Sequence, residues 1–151
     1  LELMSEAVLV SRPAGVRLEK VSGTLDLDWI ALTDAERHAS SGSPSLFAKH
    51  TLLLAVGARY RRMRSSMLAA IERGRPPAID FLNGEVIARG QTFGVATPIN
   101  AAVREQVLAI AAKKAQPGKP LLRALFDRTR GVAGGSEPVS VRNPDDPPSA
   151  S

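Results

Sequence analysis

The chain has 151 residues, 44% of them hydrophobic but only 4% aromatic, with no cysteine and a net charge of +5. That length suits one modest domain whose core is built from Leu, Val, Ile, Ala and Met rather than rings, without covalent staples. Disulfides and thiolate metal sites are excluded, no apolar run reaches the ~18 residues of a membrane span, and no secretory signal is visible, so a cytoplasmic setting is expected.

Glu2 to Arg12 reads as a helix with Leu3, Met4, Ala7, Val8 and Val10 partly on one face, closed by Pro13 and Gly15. Because the first residue is Leu1, not Met, and Glu2-Leu3-Met4 already reads as the inside of a helix, the chain is expected to be a fragment whose upstream part is missing. From Val16 to Leu32 two readings stand. Leu25, Leu27 and Trp29 alternate as in a strand, while Trp29, Ile30 and Leu32 would also suit a short helix. Thr33-Asp34 caps a further helical turn through Arg37, and Ser40-Ser41-Gly42-Ser43-Pro44 is a loop.

The strongest periodicity follows. Leu53, Val56, Tyr60, Met63, Met67 and Ala70/Ile71 recur at three and four residues, which predicts one helix over 46–73 with those side chains buried. Gly74 stops it, Pro76 cannot continue it, and Pro77 can open the next helix, expected over 78–92. That helix buries Ile79, Leu82, Val86 and, just beyond it, Phe93, with Asp80 in the first turn at the positive end of the dipole. Asn83-Gly84 inside a helical pattern implies close packing or backbone contact with a partner. Gly94 is the next stop. Thr97-Pro98 then caps and opens a helix through about Lys114, burying Ile99, Ala102, Val103, Val107 and Ile110. A Pro-Gly linker at 116–120 precedes a short helix over 121–128. Residues 131–151, rich in Gly, Pro and Ser, are expected to be a disordered tail beyond a helical domain of residues 1–130.

The basic charge is local. Between positions 59 and 75 stand six arginines (Arg59, Arg61, Arg62, Arg64, Arg73 and Arg75) and one acid, Glu72. On a continuous helix at 100° per residue, Arg59, Ser66, Arg73 and Arg62 fall within about 60° of one another, beside the apolar stripe. A hydroxyl flanked by guanidinium forks could receive a carboxylate or phosphate. A solvated arginine face is the plainer alternative. Nucleic acid is disfavoured, since Tyr60 is the one aromatic near the patch and the stripe claims it. His38 and His50 have no second ligand at metal spacing, no Gly-rich phosphate loop follows a strand, and nothing resembles a Ser-His-Asp arrangement.

The stretch SSMLAAIERGRPPAIDFLNGEVIARGQTFGVATPINAAV, Ser65 to Val103, resembles the C-terminal domain of the ketopantoate reductase (2-dehydropantoate 2-reductase) family. The family pattern is a Ser-Ser-Met-Leu helix, a Gly-Arg-x-x-Glu-Ile-Asp corner, Asn-Gly, Gly-x-x-x-Gly and a Thr-Pro-x-Asn turn. The resemblance implies an all-helical bundle of the 6-phosphogluconate dehydrogenase superfamily type, normally joined to an N-terminal Rossmann domain that binds NADP. It implies reduction of a 2-keto acid in a cleft between the domains, on the route to pantothenate and coenzyme A. Ser66 stands at the position that helps hold substrate, and Arg62 and Arg73 are its expected carboxylate-binding helpers.

Three departures accompany the match. The family's substrate-binding glutamate is Ala78, the asparagine two residues before the serine pair is Met63, and the general-acid lysine lies upstream of this chain. Lys49 does not occupy that lysine's place in the pattern; between Val16 and Leu46 the family's connection is usually shorter, and the Trp29 segment has no counterpart in it. The expectation is therefore the substrate-cleft domain of an NADP-dependent 2-keto acid reductase, inert alone, with a homodimer compatible. The alternative is a helical binding or dimerisation module that has shed its chemistry.

Overall fold

The computed structural model describes residues 1–20, 26–38, 43–62 and 65–130, and every regular element among them is helical. The expectations for Met63, Arg64 and the 131–151 tail lie outside the described residues.

Helix α1 (Glu2–Ser11) is the centre of the packing, touching α2 (Leu27–Ile30), α6 (Glu85–Phe93) and α7 (Pro98–Ala111). It buries Ser5, Glu6, Val8, Val10 and Ser11, so its inner face mixes apolar and polar groups. The polar ones have partners. Ser5 Oγ accepts from Leu32 N–H at 2.7 Å and donates to Leu1 C=O at 3.1 Å. The first of these bonds docks the 26–38 segment onto α1. Of the two readings of that segment the helical one is found. Asp26 caps α2 (Leu27–Ile30) by accepting from Trp29 N–H at 3.1 Å, Ile30 is fully buried, and Trp29 stays 44% exposed.

The decisive bond lies between α1 and α7 (Pro98–Ala111). Thr97 was expected to cap α7 and does occupy the cap position, but its side chain makes no capping bond. Glu6, buried on α1, supplies the cap instead. Its carboxylate accepts from Ile99 N–H and Asn100 N–H, both at 2.8 Å, and from Asn100 Nδ2 at 2.6 Å. Pro98 has no N–H to satisfy, so the first free amides of α7 all point at this one anion. A carboxylate there also meets the positive end of the helix dipole. Asn100, 2% exposed, completes the network by donating to Leu3 C=O at 3.2 Å and accepting from Asn83 Nδ2 at 2.9 Å. Val8, Val10, Ile30, Ile79, Ile99 and Ala102 form the apolar core around it.

Two expectations need correction. The single helix over 46–73 is two helices, α4 (Pro44–Tyr60) and α5 (Ser66–Glu72). Arg59 and Arg62 would stack like charges three apart, and Ser65 offers the chain a better local option. Its hydroxyl accepts from Leu68 N–H at 3.1 Å, so it caps a new helix rather than continuing the old one. The stripe is correspondingly not a buried seam: Tyr60 is 52% exposed, and Leu53, Val56, Met67, Ala70 and Ile71 are only half-buried.

The helix expected over 78–92 is also interrupted. Asp80–Gly84 forms one π-helical turn before α6 (Glu85–Phe93). The extra residue per turn advances everything after it by about 100°. Ile79, before the shift, is buried as expected; Leu82 and Phe93 are 58% and 42% exposed. The turn brings Asn83 to Asn100, while Gly84 has only ordinary contacts around it. The tight glycine is Gly90, where a Cβ would stand 2.7 Å from Val95 O and 2.8 Å from Thr97 Cγ2. Helix α8 (Lys119–Arg130) packs on α7 and is pinned by Arg128 to Glu105 at 3.0 Å.

Replacing Glu6 with alanine leaves three buried donors without an acceptor, each costing ~1–3 kcal/mol. Urea unfolding followed by circular dichroism should show Glu6→Ala destabilised by about 3 kcal/mol, and Glu6→Gln, which keeps one acceptor, by less.

Candidate functional site

The sequence points to the corner between α5 and α6, and the structure shows how that corner is made. Helix α5 closes in a Schellman motif: Gly74, at φ +69°, donates to Ile71 C=O at 2.9 Å, and Arg75 N–H reaches Ala70 C=O at 2.9 Å. A side chain at Gly74 would be strained by that φ, which is why the expected glycine stop is real. Pro76-Pro77 then crosses to Ala78 and Ile79. Ile79, 2% exposed, anchors the far side of the corner in the core, and Asn83 ties the next turn to Asn100. The corner thus hangs from the Glu6 network.

Around it, Ser66 is the exposed first residue of α5, Arg73 is its exposed C-cap, and Arg62 is exposed in the turn after α4. Ser66 and Arg73 remain on one side of α5, about 10 Å apart along its axis. The break before Ser65 removes the wheel that aligned them with Arg59 and Arg62. Neither Arg62 nor Arg73 has an ion-pair partner among the described residues. Helix α5 therefore presents an exposed hydroxyl at its start and an exposed guanidinium without an ion pair at its end. Ala78 is exposed, and its methyl side chain offers no acceptor at that position.

A second feature was not visible in the sequence. Asp80, Gly84, Glu85, Ile87, Ala88, Gln91 and Arg104 line an open concavity of about 400 Å³. Asp80 was expected to serve the helix dipole, but it binds Arg104 Nε at 2.6 Å, joining the π-helical turn to α7. Both side chains are about half exposed, which makes this a weak surface pair. Asp80 is thus already engaged.

Lys49 is the other surprise. It is 2% exposed, and its Nζ donates to Ala31 C=O at 2.8 Å and to Glu36 at 2.6 Å, with the Trp29 ring 5.8 Å away. Glu36 closes a capping box on α3 (Asp34–His38): Thr33 N–H donates to its carboxylate at 2.9 Å, and Glu36 N–H donates to Thr33 Oγ1 at 3.2 Å. Ser45 adds another donor. The Thr33-x-x-Glu36 spacing is the signal that could have found it. Lys49 is a structural cation, sealed from any substrate.

The family model described as ketopantoate reductase PanE/ApbA C terminal matches residues 1–111. The chain belongs to that family. The curated 2-dehydropantoate 2-reductase of Vibrio cholerae serotype O1 (strain ATCC 39315 / El Tor Inaba N16961) is 42% identical over 43 residues, 28% of this chain and 14% of that protein. The aligned stretch is thus a small part of the relative's length. No solved structure matches the chain. The all-helical fold agrees with a ketopantoate reductase C-terminal domain. Among the described residues there is no strand followed by a Gly-rich loop. No helix among them is long and apolar enough to cross a membrane.

Hydrogen bonds from Lys49, Ser45 and Thr33 hold the Glu36 carboxyl down from 4.5 to about 2. A group depressed on folding contributes stability that is complete above its unfolded value and is lost as pH falls through the folded one. The stability advantage of the natural chain over Glu36→Gln should therefore shrink between about pH 4.5 and about pH 2. Thermal unfolding across that range checks it; a difference independent of pH would be the contrary result.

Proposed function

We propose that this domain supplies one wall of the substrate cleft in a ketopantoate-reductase-like oxidoreductase that reduces a 2-keto acid. The observation that carries the reading is the family match over residues 1–111, joined to an exposed Ser66 on a helix whose C-cap, Arg73, is exposed and without an ion pair among the described residues. NADP is bound by a Rossmann domain outside these residues, and that domain covers the corner to close the cleft.

Within it, Ser66 donates a hydrogen bond to the substrate, while Arg62 and Arg73 attract and orient the carboxylate. Guanidinium groups suit that task because their paired N–H donors match the two carboxylate oxygens. On an exposed corner such contacts are screened by water, and they strengthen once a second domain excludes it. Ala78 offers no acceptor for a substrate hydroxyl where the family pattern has glutamate. That favours a 2-keto acid without such a hydroxyl over ketopantoate itself. The same substitution is what favours the second reading, a non-catalytic binding or dimerisation module.

As an isolated polypeptide the domain is inert: mixed with ketopantoate and NADPH, it leaves the nicotinamide absorbance unchanged. In the intact enzyme Ser66→Ala raises KM for the 2-keto acid about tenfold, the loss of one hydrogen bond of ~1.4 kcal/mol to the bound substrate. Steady-state kinetics decide. An unchanged KM and kcat/KM removes Ser66 from the site, and NADPH consumption by the isolated domain removes the shared-cleft reading.

A further inference from the structure

Asn83-Gly84 interrupts a helical pattern, and the fold accounts for only half of it. Asn83 reaches Asn100, whereas Gly84 has ordinary helical angles, φ −61° and ψ −40°, that any residue adopts. Glycine in a helix is less stable than alanine. Packing does not demand it either. A Cβ at Gly84 would lie 3.5 Å from Asp80 Cβ, 3.6 Å from Asp80 Oδ1 and 3.8 Å from Arg104 Nε, all ordinary contacts. What a methyl group would take up is room in the open concavity of about 400 Å³ that Gly84 lines with Asp80, Ile87, Ala88 and Arg104. That volume suits a small ligand.

The ion pair beside Gly84 is only partly used. Arg104 Nε donates to Asp80 Oδ1 at 2.6 Å, while Arg104 Nη1 and Nη2 and Asp80 Oδ2 make no further hydrogen bond among the described residues. Spare donors and a spare acceptor therefore sit side by side in one concavity, with Ile87 and Ala88 as its apolar wall. A ligand with a single charge is attracted to one member of such a pair and repelled by the other. A ligand with both charges on neighbouring atoms gains from each: its carboxylate takes the guanidinium donors and its ammonium the free carboxylate oxygen.

The concavity is distinct from the α5–α6 corner. Ile79 points into the core, and at about 100° per residue Ala78 and Asp80 fall on opposite flanks of it. Ser66, Arg62 and Arg73 do not line the concavity. Its edge is the single π-helical turn Asp80–Gly84, and such turns are frequent at functional sites. We infer that the concavity between this turn, α6 and α7 binds a free α-amino acid with a small aliphatic side chain. The carboxylate meets Arg104, the ammonium meets Asp80, and the side chain lies over Gly84 against Ile87 and Ala88. Because the ion pair is half exposed, the affinity falls in the millimolar range.

The test titrates the whole chain with L-leucine and two analogues that each keep one charge, 4-methylpentanoate and 3-methylbutylamine. Binding is read from the amide NMR shifts of Gly84, Ile87 and Ala88. Expected is saturable binding of leucine, about tenfold tighter than either analogue. Arg104→Gln brings leucine down to the level of the amine. Gly84→Ala weakens leucine about tenfold while raising the thermal midpoint by a few degrees, since the methyl group fills the cradle and favours the helix. Ala88→Leu, at an exposed helical position, narrows the concavity from its other wall and has the same effect on binding. The inference is overturned if leucine produces no saturable shifts, or if either analogue binds as tightly. It is equally overturned if Gly84→Ala and Ala88→Leu leave the affinity unchanged. None of these readouts involves Ser66, so this inference and the substrate reading fail separately.

Discussion

One buried carboxylate organises this domain. Glu6 on α1 closes the N-terminus of α7, 94 residues along the chain at its farthest bond, and through Asn100 reaches Asn83 in the π-helical turn. Burying an anion is costly unless every oxygen is satisfied. Here two backbone amides, a side-chain amide and the helix dipole satisfy it together. Helices α1 and α7 and the π-helical turn that follows the corner are thereby held in one arrangement by directional bonds, where the aliphatic side chains around them could slide.

Polar groups are distributed unevenly across the fold. Around α1, α7 and the α3–α4 junction, buried hydrogen-bonding side chains are paired: Ser5 with Leu32, Glu6 with α7, Lys49 with Glu36. Around α5, guanidinium groups stand open to water. The buried polar groups are thus satisfied within the fold, and the unpaired guanidinium groups lie at its surface.

The helical class, the Gly74 and Gly94 stops, Pro98 at the start of α7 and the burial of Ile79 and Ile99 were legible in the sequence, because each rests on local backbone chemistry. What was not legible depended on distant or competing groups. Thr97 looked like the cap of α7, but a residue on another helix took the position's amides. The spacing from Leu53 to Ile71 read as one helix, because periodicity cannot register a serine that restarts the count. The π-helical turn likewise shifted Leu82 and Phe93 outward by an insertion that leaves no mark on composition. Of the candidate site, Ser66, Arg62 and Arg73 are on an accessible surface, whereas the Asp80–Arg104 pair needed the tertiary fold to appear.

The most direct measurement is amide hydrogen exchange at Ile99 and Asn100, read by NMR in the natural chain and in Glu6→Gln. If the carboxylate is the capping group, both amides exchange only through global opening and both lose protection in the variant. Rapid exchange of these amides in the natural chain, or protection indifferent to the substitution, would mean that something other than Glu6 holds α7 and the corner in place.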